Sequence, residues 1–409
     1  MVRVVFIHPD LGIGGAERLV VDAALALQKK GHYVHFVTSH HDTSHCFTET
    51  KDGTFPVTVV GDWLPRNIFG KCYAFCAYFR MLYAAFYLTF FSGLQPDVVF
   101  CDLISVCIPI LKLRISNVLF YCHFPDQLLS SPGSFLKSLY RAPLNWFEER
   151  STGQASKIFV NSNFTAQVFK RTFSRIRARP EVLYPSINTY FFEESNPLPL
   201  NEVLKRDLLK GSFVFLSINR YERKKNLSLA LDALYILKEK LTAEYWDRIH
   251  LVMAGGYDSR VRENVEHYTE LVDHAKDLEL YDKVTFLKSP SDIHKVSLLS
   301  NCNCLIYTPP NEHFGIVPLE AMYFGKPVIA VNSGGPTETI LDGKTGLLCE
   351  STAEAFASAM MRFVVDENLC ANYGKAGQRR MKEMFSFKAF AEHLDSVVQS
   401  LFKVKGKRK

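Results

Sequence analysis

Along this chain, short apolar runs alternate with longer stretches whose apolar positions recur at helical spacing. Val2 to His8 reads as a strand and Leu11 to Gly15 as a polar glycine loop. Ala16, Leu19, Val20, Ala23, Ala24 and Leu27 then fall on one face of a helix closed by Gly31. Further strands are predicted at Tyr33 to Val37, Asp97 to Cys101, Val118 to Cys122 and Lys157 to Val160, which makes residues 1–190 one parallel α/β unit. The pattern breaks between Ser186 and Gly211, where prolines and acids interrupt any periodicity, so 191–211 is read as a linker. A second series follows in residues 212–385, with strands at Phe213 to Ile218, Ile249 to Ala254, Val284 to Leu287, Cys304 to Tyr307 and Pro327 to Val331. Residues 386–409 are read as a separate C-terminal helix with a basic tail. The expected class is α/β, with two doubly wound, Rossmann-like domains facing each other across a cleft.

One stretch fits neither series. From Cys72 to Pro96 the sole charge is Arg80, and Met81 to Leu94 is apolar and rich in aromatics. About 20 apolar residues are needed to span a bilayer, and a snorkelling Arg80 would bring the run close to that. A single span would nevertheless separate Gly14 and Gly15 from Lys225, Glu312 and Glu320, splitting one site between two compartments. The segment 71–96 is therefore read as an in-plane or re-entrant helix touching a membrane, in preference to a buried crossover helix or a true span. Arg80, Phe86 and Leu88 are the expected contacts to the membrane.

Composition changes this picture little. A chain of 409 residues with 47% apolar content holds two cores. The net charge of +6 arises largely from Lys403, Lys405, Lys407, Arg408 and Lys409, leaving the body near neutral. Nucleic-acid binding, which needs a broad basic face, is therefore not expected. A basic tail suits an anionic membrane surface, a solvated tail equally so, and Lys405 and Lys407 also resemble an endoplasmic-reticulum retrieval signal. The ten cysteines are scattered, without CxxC pairs or zinc spacing, and read as reduced core residues of a cytosol-facing protein.

The candidate chemistry lies in the loops that follow strands. Glu312 and Glu320 stand eight residues apart around Phe314, Gly315 and Ile316, at the carboxyl end of a predicted strand and the start of a helix, where phosphorylated ligands bind in open α/β sheets. The plainer reading makes Glu320 a helix-dipole partner and Glu312 a solvated loop residue. Gly12, Gly14 and Gly15 allow backbone to approach an anion at a helix start, though the full dinucleotide fingerprint is missing. Asn219 and Arg220 end another strand, and Lys225 and Asn226 follow before the next helix. Two cations there can clamp a diphosphate, or simply decorate a charged loop. His123, beside Pro125 and Asp126, is either a proton-handling residue or a structural strand-end histidine.

Together these motifs resemble the retaining, metal-independent glycosyltransferases with two Rossmann-like domains, the GT-B class of family 4 type. Tyr121 to Asp126, Leu139 to Pro143, Asn219 to Asn226 and Glu312 to Glu320 narrow the resemblance to the eukaryotic α-1,3/1,6-mannosyltransferases of dolichol-linked oligosaccharide assembly. It implies a GDP-mannose donor as co-substrate with no other cofactor. It also implies a dolichyl-diphosphate-linked chitobiose-mannose acceptor, α-1,3 and then α-1,6 transfer, placement on the cytosolic face of the endoplasmic reticulum membrane, and other mannosyltransferases of the same assembly as partners. Carried over residue by residue, it gives Glu320 the donor ribose, Arg220 and Lys225 the diphosphate, and the amides at Gly14, Gly15 and after Phe314 the phosphate and mannose hydroxyls. Glu312 and His123 would face the transferred sugar. No Asp-x-Asp metal motif occurs in the chain, so these cations are expected to take a metal's place. A lipid-directed mannosyltransferase with another acceptor, and a silent nucleotide-sugar-binding scaffold, stand as the alternatives.

Overall fold

The computed structural model describes residues 1–129, 135–187 and 189–406. These residues form two units, Met1–Ser186 with Phe387–Lys409, and Ile187–Ser386.

The first unit is built on a parallel sheet of seven strands: β1 (Arg3–His8), β2 (Tyr33–Thr38), β3 (Val57–Val59), β4 (Val98–Asp102), β5 (Val118–Cys122), β6 (Lys157–Val160) and β7 (Glu181–Val182). Their order is β3-β2-β1-β4-β5-β6-β7, so the winding reverses between β1 and β4. Such a switch point opens a crevice at the carboxyl ends of the strands. Those ends carry His8, Asp102 and, just beyond β5, His123. β3 and β7 are short edge strands without an apolar run, and the hydrophobic pattern gave no sign of them.

The second unit repeats the plan with six parallel strands: β8 (Phe213–Ile218), β9 (Ile249–Gly255), β10 (Val284–Lys288), β11 (Cys304–Tyr307), β12 (Val328–Val331) and β13 (Gly346–Cys349). Their order is β10-β9-β8-β11-β12-β13, with its switch between β8 and β11. β8 and β9 are buried along their whole length, as expected of strands covered by helices on both faces.

The structure redraws three sequence expectations. The C-terminal helix Phe387–Gly406 does not stand apart: Phe390, Ala391, Leu394 and Val398 pack into the first unit's core beside Val20, Ala24 and Leu27, and His32 Nε2 lies 2.7 Å from Asp395 Oδ1. Lys407, Arg408 and Lys409, most of the expected basic tail and retrieval signal, lie outside the described residues. The segment 191–211, read as a linker, contains the helices Tyr190–Glu194 and Leu200–Leu204 and belongs to the second unit. Val203 and Leu204 are buried, and the Leu198 amide donates to Ser297 Oγ at 2.8 Å, so its few apolar residues bind it down despite the prolines.

The third correction concerns 71–96. This segment forms the helix Tyr73–Phe90, which crosses between strands and buries Met81, Ala84, Ala85 and Leu88 against Val5, Ile7 and Val99. Leu88 is therefore a core residue, not a lipid contact. Arg80 is buried as well, donating to the Ser39 carbonyl at 2.6 Å and to Asp62 Oδ1 at 3.2 Å, which rules out the snorkelling expected of it. The sheet takes the aliphatic side of the helix, and the aromatic side, with Phe75, Phe79, Tyr83 and Phe86, remains exposed. Among the described residues no helix is long and apolar enough to cross a membrane. All ten cysteines are free thiols, eight of them buried.

Candidate active site

In the second unit the loop after β11 is folded by backbone geometry. Asn311 (φ +52°) and Gly315 (φ +83°) both adopt left-handed conformations, turning the chain sharply into the helix Ile316–Tyr323. The loop rests on Ser333, Gly334 and Gly335, which follow β12. A Cβ on Gly334 would lie 2.3 Å from the Glu312 carbonyl oxygen, and one on Gly335 would lie 2.3 Å from the Phe314 Cα. Only glycine fits there. The Gly335 amide donates to the Glu312 carbonyl at 2.7 Å and the Asn311 amide to Ser333 Oγ at 2.9 Å.

So held, the Glu312 carboxylate pairs with the Lys225 ammonium and accepts a hydrogen bond from the Tyr307 hydroxyl at 3.2 Å. Lys225 ends the turn Arg223–Lys225, and the buried Thr308 hydroxyl donates to its carbonyl at 2.8 Å, tying that turn to β11. Burial pushes the Glu312 pKa up, but the Lys225 charge and hydrogen bond, with His313 and Tyr307 adding to them, outweigh it and hold the carboxyl below its ordinary value. Glu312 is thus an anion at neutral pH. Burial, with Glu312 and Glu320 nearby, pushes the Tyr307 phenol far upward, so it stays a donor.

Glu320 lies one turn into its helix. Lys295 Nζ holds its Oε1 at 2.6 Å, while Oε2 is buried with no hydrogen-bond partner among the described residues. A carboxylate oxygen in that position is built to accept from a ligand hydroxyl. Phe314 is buried and Ile316 is partly exposed, at the helix start where the first amides have no intrahelical acceptor. Asn219 is buried at the end of β8. Arg220 follows it with a side chain 65% exposed and its guanidinium 3.1 Å from Glu222, so it does not share the Lys225–Glu312 pair but extends from Gly256 into solvent.

In the first unit Gly14 is extended and caps the helix Gly15–Lys29, and a Cβ on Gly14 would lie 2.2 Å from Glu17 Oε2. Amide groups at such a helix start favour an anion. His123 Nε2 lies 2.9 Å from Asp102 Oδ1, and the ring packs 4.7 Å from that of Tyr121. The Asn161 amide donates to the His123 carbonyl at 3.0 Å, which fixes the backbone of the loop.

Sequence reasoning missed Tyr307, Thr308, Lys295, Gly334 and Gly335 in the second unit, and His8, Glu17 and Asp102 in the first. The adjacent glycines after β12 were a legible signal of close backbone approach. The others are single polar residues at strand ends or on helices, whose partners lie far away in sequence.

Residues 13–191 match the family described as Glycosyltransferase Family 4, and residues 202–380 match Glycosyl transferases group 1. The chain is 53% identical to the alpha-1,3/1,6-mannosyltransferase ALG2 of Homo sapiens, over 97% of this chain and 96% of the human one. It belongs to the ALG2 mannosyltransferase family. The ALG2 protein of Dictyostelium discoideum is 48% identical over 98% of both chains. As an ALG2-family mannosyltransferase, the protein works on a nucleotide sugar and a glycan acceptor. Its architecture of two Rossmann-like units is that of GT-B enzymes. Sucrose-phosphate synthase from Thermosynechococcus elongatus shares the fold with a TM-score of 0.75 at 19% identity, covering 99% of this chain and 100% of that one. WaaG, a glycosyltransferase involved in lipopolysaccharide biosynthesis, shares it with a TM-score of 0.67 at 16% identity, covering 97% and 99%.

Proposed function

We propose that this mannosyltransferase takes GDP-mannose as donor and a dolichyl-diphosphate-linked chitobiose-mannose chain as acceptor, adding an α-1,3 and then an α-1,6 mannose in N-glycan precursor assembly. The observation that carries the reading is the loop after β11. It presents the anionic Glu312 against Lys225, and one turn into the following helix Glu320 has a buried oxygen that lacks a donor among the described residues.

In this reading Glu320 Oε2 accepts from a ribose hydroxyl of the donor, with Lys295 holding the other oxygen. Arg220 and Lys225 neutralise the diphosphate as it departs, where one well-placed donor contributes roughly 3 kcal/mol. Asn219, Gly14, Gly15 and the amides of Gly315 and Ile316 bind phosphate and sugar oxygens, and Glu312 and His123 contact the mannose. Transfer proceeds with retention on one face of the sugar. The C1–O bond to GDP breaks as the acceptor hydroxyl forms the new bond, and its proton passes to the departing phosphate oxygen. The positive charge comes from side chains, so activity needs no metal ion.

The exposed aromatic side of the helix Tyr73–Phe90 is proposed to rest on the cytosolic face of the endoplasmic reticulum membrane, where a dolichol-linked acceptor resides. The test is to incubate purified protein with GDP-mannose and synthetic lipid-linked acceptor, with chelator present, and to sequence the product linkages. Products bearing both linkages support the full reading. Transfer only to a different lipid acceptor, or none at all, overturns it.

A further inference from the structure

Beneath His123, three buried or half-buried groups converge at the switch point of the first sheet, and none has a place in the reaction described above. His8, the last residue of β1, is fully buried. Its Nδ1 lies 3.1 Å from Asp102 Oδ2, and its Nε2 lies 3.6 Å from Glu17 Oε1 on the helix that follows the glycine loop. Asp102, also fully buried at the end of β4, uses its other oxygen to accept from His123 Nε2 at 2.9 Å. Both ring nitrogens of His8 and Oδ2 of Asp102 have no well-aligned hydrogen bond among the described residues. His8 is thus held between its two acids by close approach and charge.

Such an arrangement is costly unless it does something. Burying a charged group away from water is unfavourable even when paired, and a hydrophobic trio of the same volume would serve the core as well. We propose that Glu17, His8 and Asp102 form a buried relay of positioning residues that ties the glycine loop at Gly14 to the orientation and tautomer of His123. Asp102 accepts the Nε2 proton of His123, which leaves Nδ1 with the lone pair that accepts from a sugar hydroxyl. His8, as a cation, keeps Asp102 ionised and in place. Glu17 holds the far side of His8, with its carboxylate against Gly14, so movement of the glycine loop around a bound anion is transmitted to the histidine.

The charges are consistent with this. Burial pushes the His8 pKa down, but Asp102 and Glu17 together outweigh it and raise the value to about 9. Burial pushes Asp102 up, and the two histidines outweigh that and hold it below the ordinary carboxylate range. The other titratable groups facing Asp102 are Tyr121, Cys101 and Cys122, all pushed upward by burial and therefore neutral.

The inference rests on the reading of His123 as a sugar contact, and the experiment separates the two. In His8→Asn, kcat should fall about tenfold to a hundredfold, the range seen when a supporting shell is removed, with donor KM little changed. The acid limb of its kcat profile should move up by about one pH unit or more, because Asp102 has lost its neighbouring cation. Glu17→Gln removes a half-buried carboxylate and is the variant to rely on if His8→Asn does not fold. With one acid gone, His8 loses its proton at lower pH, so the alkaline limb should move down. His123→Ala should lose turnover in every case. If it does, while His8→Asn and Glu17→Gln keep wild-type kcat and both pH limbs, the relay is refuted and the reading of His123 stands. If His123→Ala is fully active, that reading fails and the relay with it.

Discussion

Lys295 holds one oxygen of Glu320 at 2.6 Å and leaves the other buried and without a hydrogen-bond partner among the described residues. The lysine, on the helix Asp292–Asn301, fixes the carboxylate in one orientation and places a positive charge beside it. In the proposed function an oxygen so prepared serves donor binding more than bond breaking.

Glu320→Gln is accordingly expected to raise the donor KM about tenfold with kcat nearly unchanged, since it removes binding shared by ground and transition states. Lys295→Met should act in the same direction. Steady-state kinetics at varied donor concentration decides, and a fall in kcat with unchanged KM would reject the assignment.

Lys225→Ala and Arg220→Ala should each lower kcat about a hundredfold or more, by removing charge that stabilises the departing diphosphate. The two should differ in pH dependence. Lys225 is a main reason that the Glu312 carboxyl stays below its ordinary value, so without it burial raises that pKa and the acid limb moves to higher pH. Arg220, paired with Glu222 and away from Glu312, should leave the limb in place. Equal shifts in both variants would show that the Lys225–Glu312 pair does not set the ionisation.

The same pair contributes to stability with a definite sign. Because the folded pKa of Glu312 is depressed, its contribution is present above the unfolded carboxylate value and is lost as pH falls through the folded one. Melting temperature plotted against pH should therefore decline less steeply on the acid side for Glu312→Gln than for wild type. Parallel curves would contradict this.

Phe86 and Leu88 offer a test of the helix Tyr73–Phe90. Leu88→Lys should destabilise the fold severely, because it places an unpaired charge in a core position only 2% exposed. Phe86→Lys, on the open aromatic side, should melt like wild type but bind anion-free liposomes more weakly and lose transfer to long-chain lipid acceptors more than to short ones. Unaltered liposome binding by Phe86→Lys would remove this face from the membrane.

Activity should persist in excess chelator, since Arg220 and Lys225 carry the positive charge. Loss of activity that magnesium or manganese restores would reject the metal-free reading.

Local pattern was enough for much of this protein. The strands Val118–Cys122, Lys157–Val160, Phe213–Ile218 and Cys304–Tyr307 are read to the residue because a strand covered on both faces must be continuously apolar. The turn at Gly315 and the pairing of loop with helix around Glu312 and Glu320 were legible too, because a left-handed glycine before a helix is a local requirement. Tertiary structure decided what depends on partners distant in the chain. Arg80 and Leu88 lie in an aromatic run that reads as lipid-facing, and only the sheet beneath it selects which side is buried. The helix Phe387–Gly406 lies far in sequence from Val20 and Leu27, and no periodicity reveals which core it completes. His8, Asp102 and His123 are single residues at the ends of three strands. The strand order β1-β4-β5, fixed by long-range pairing, is what brings them within hydrogen-bonding and ion-pairing reach.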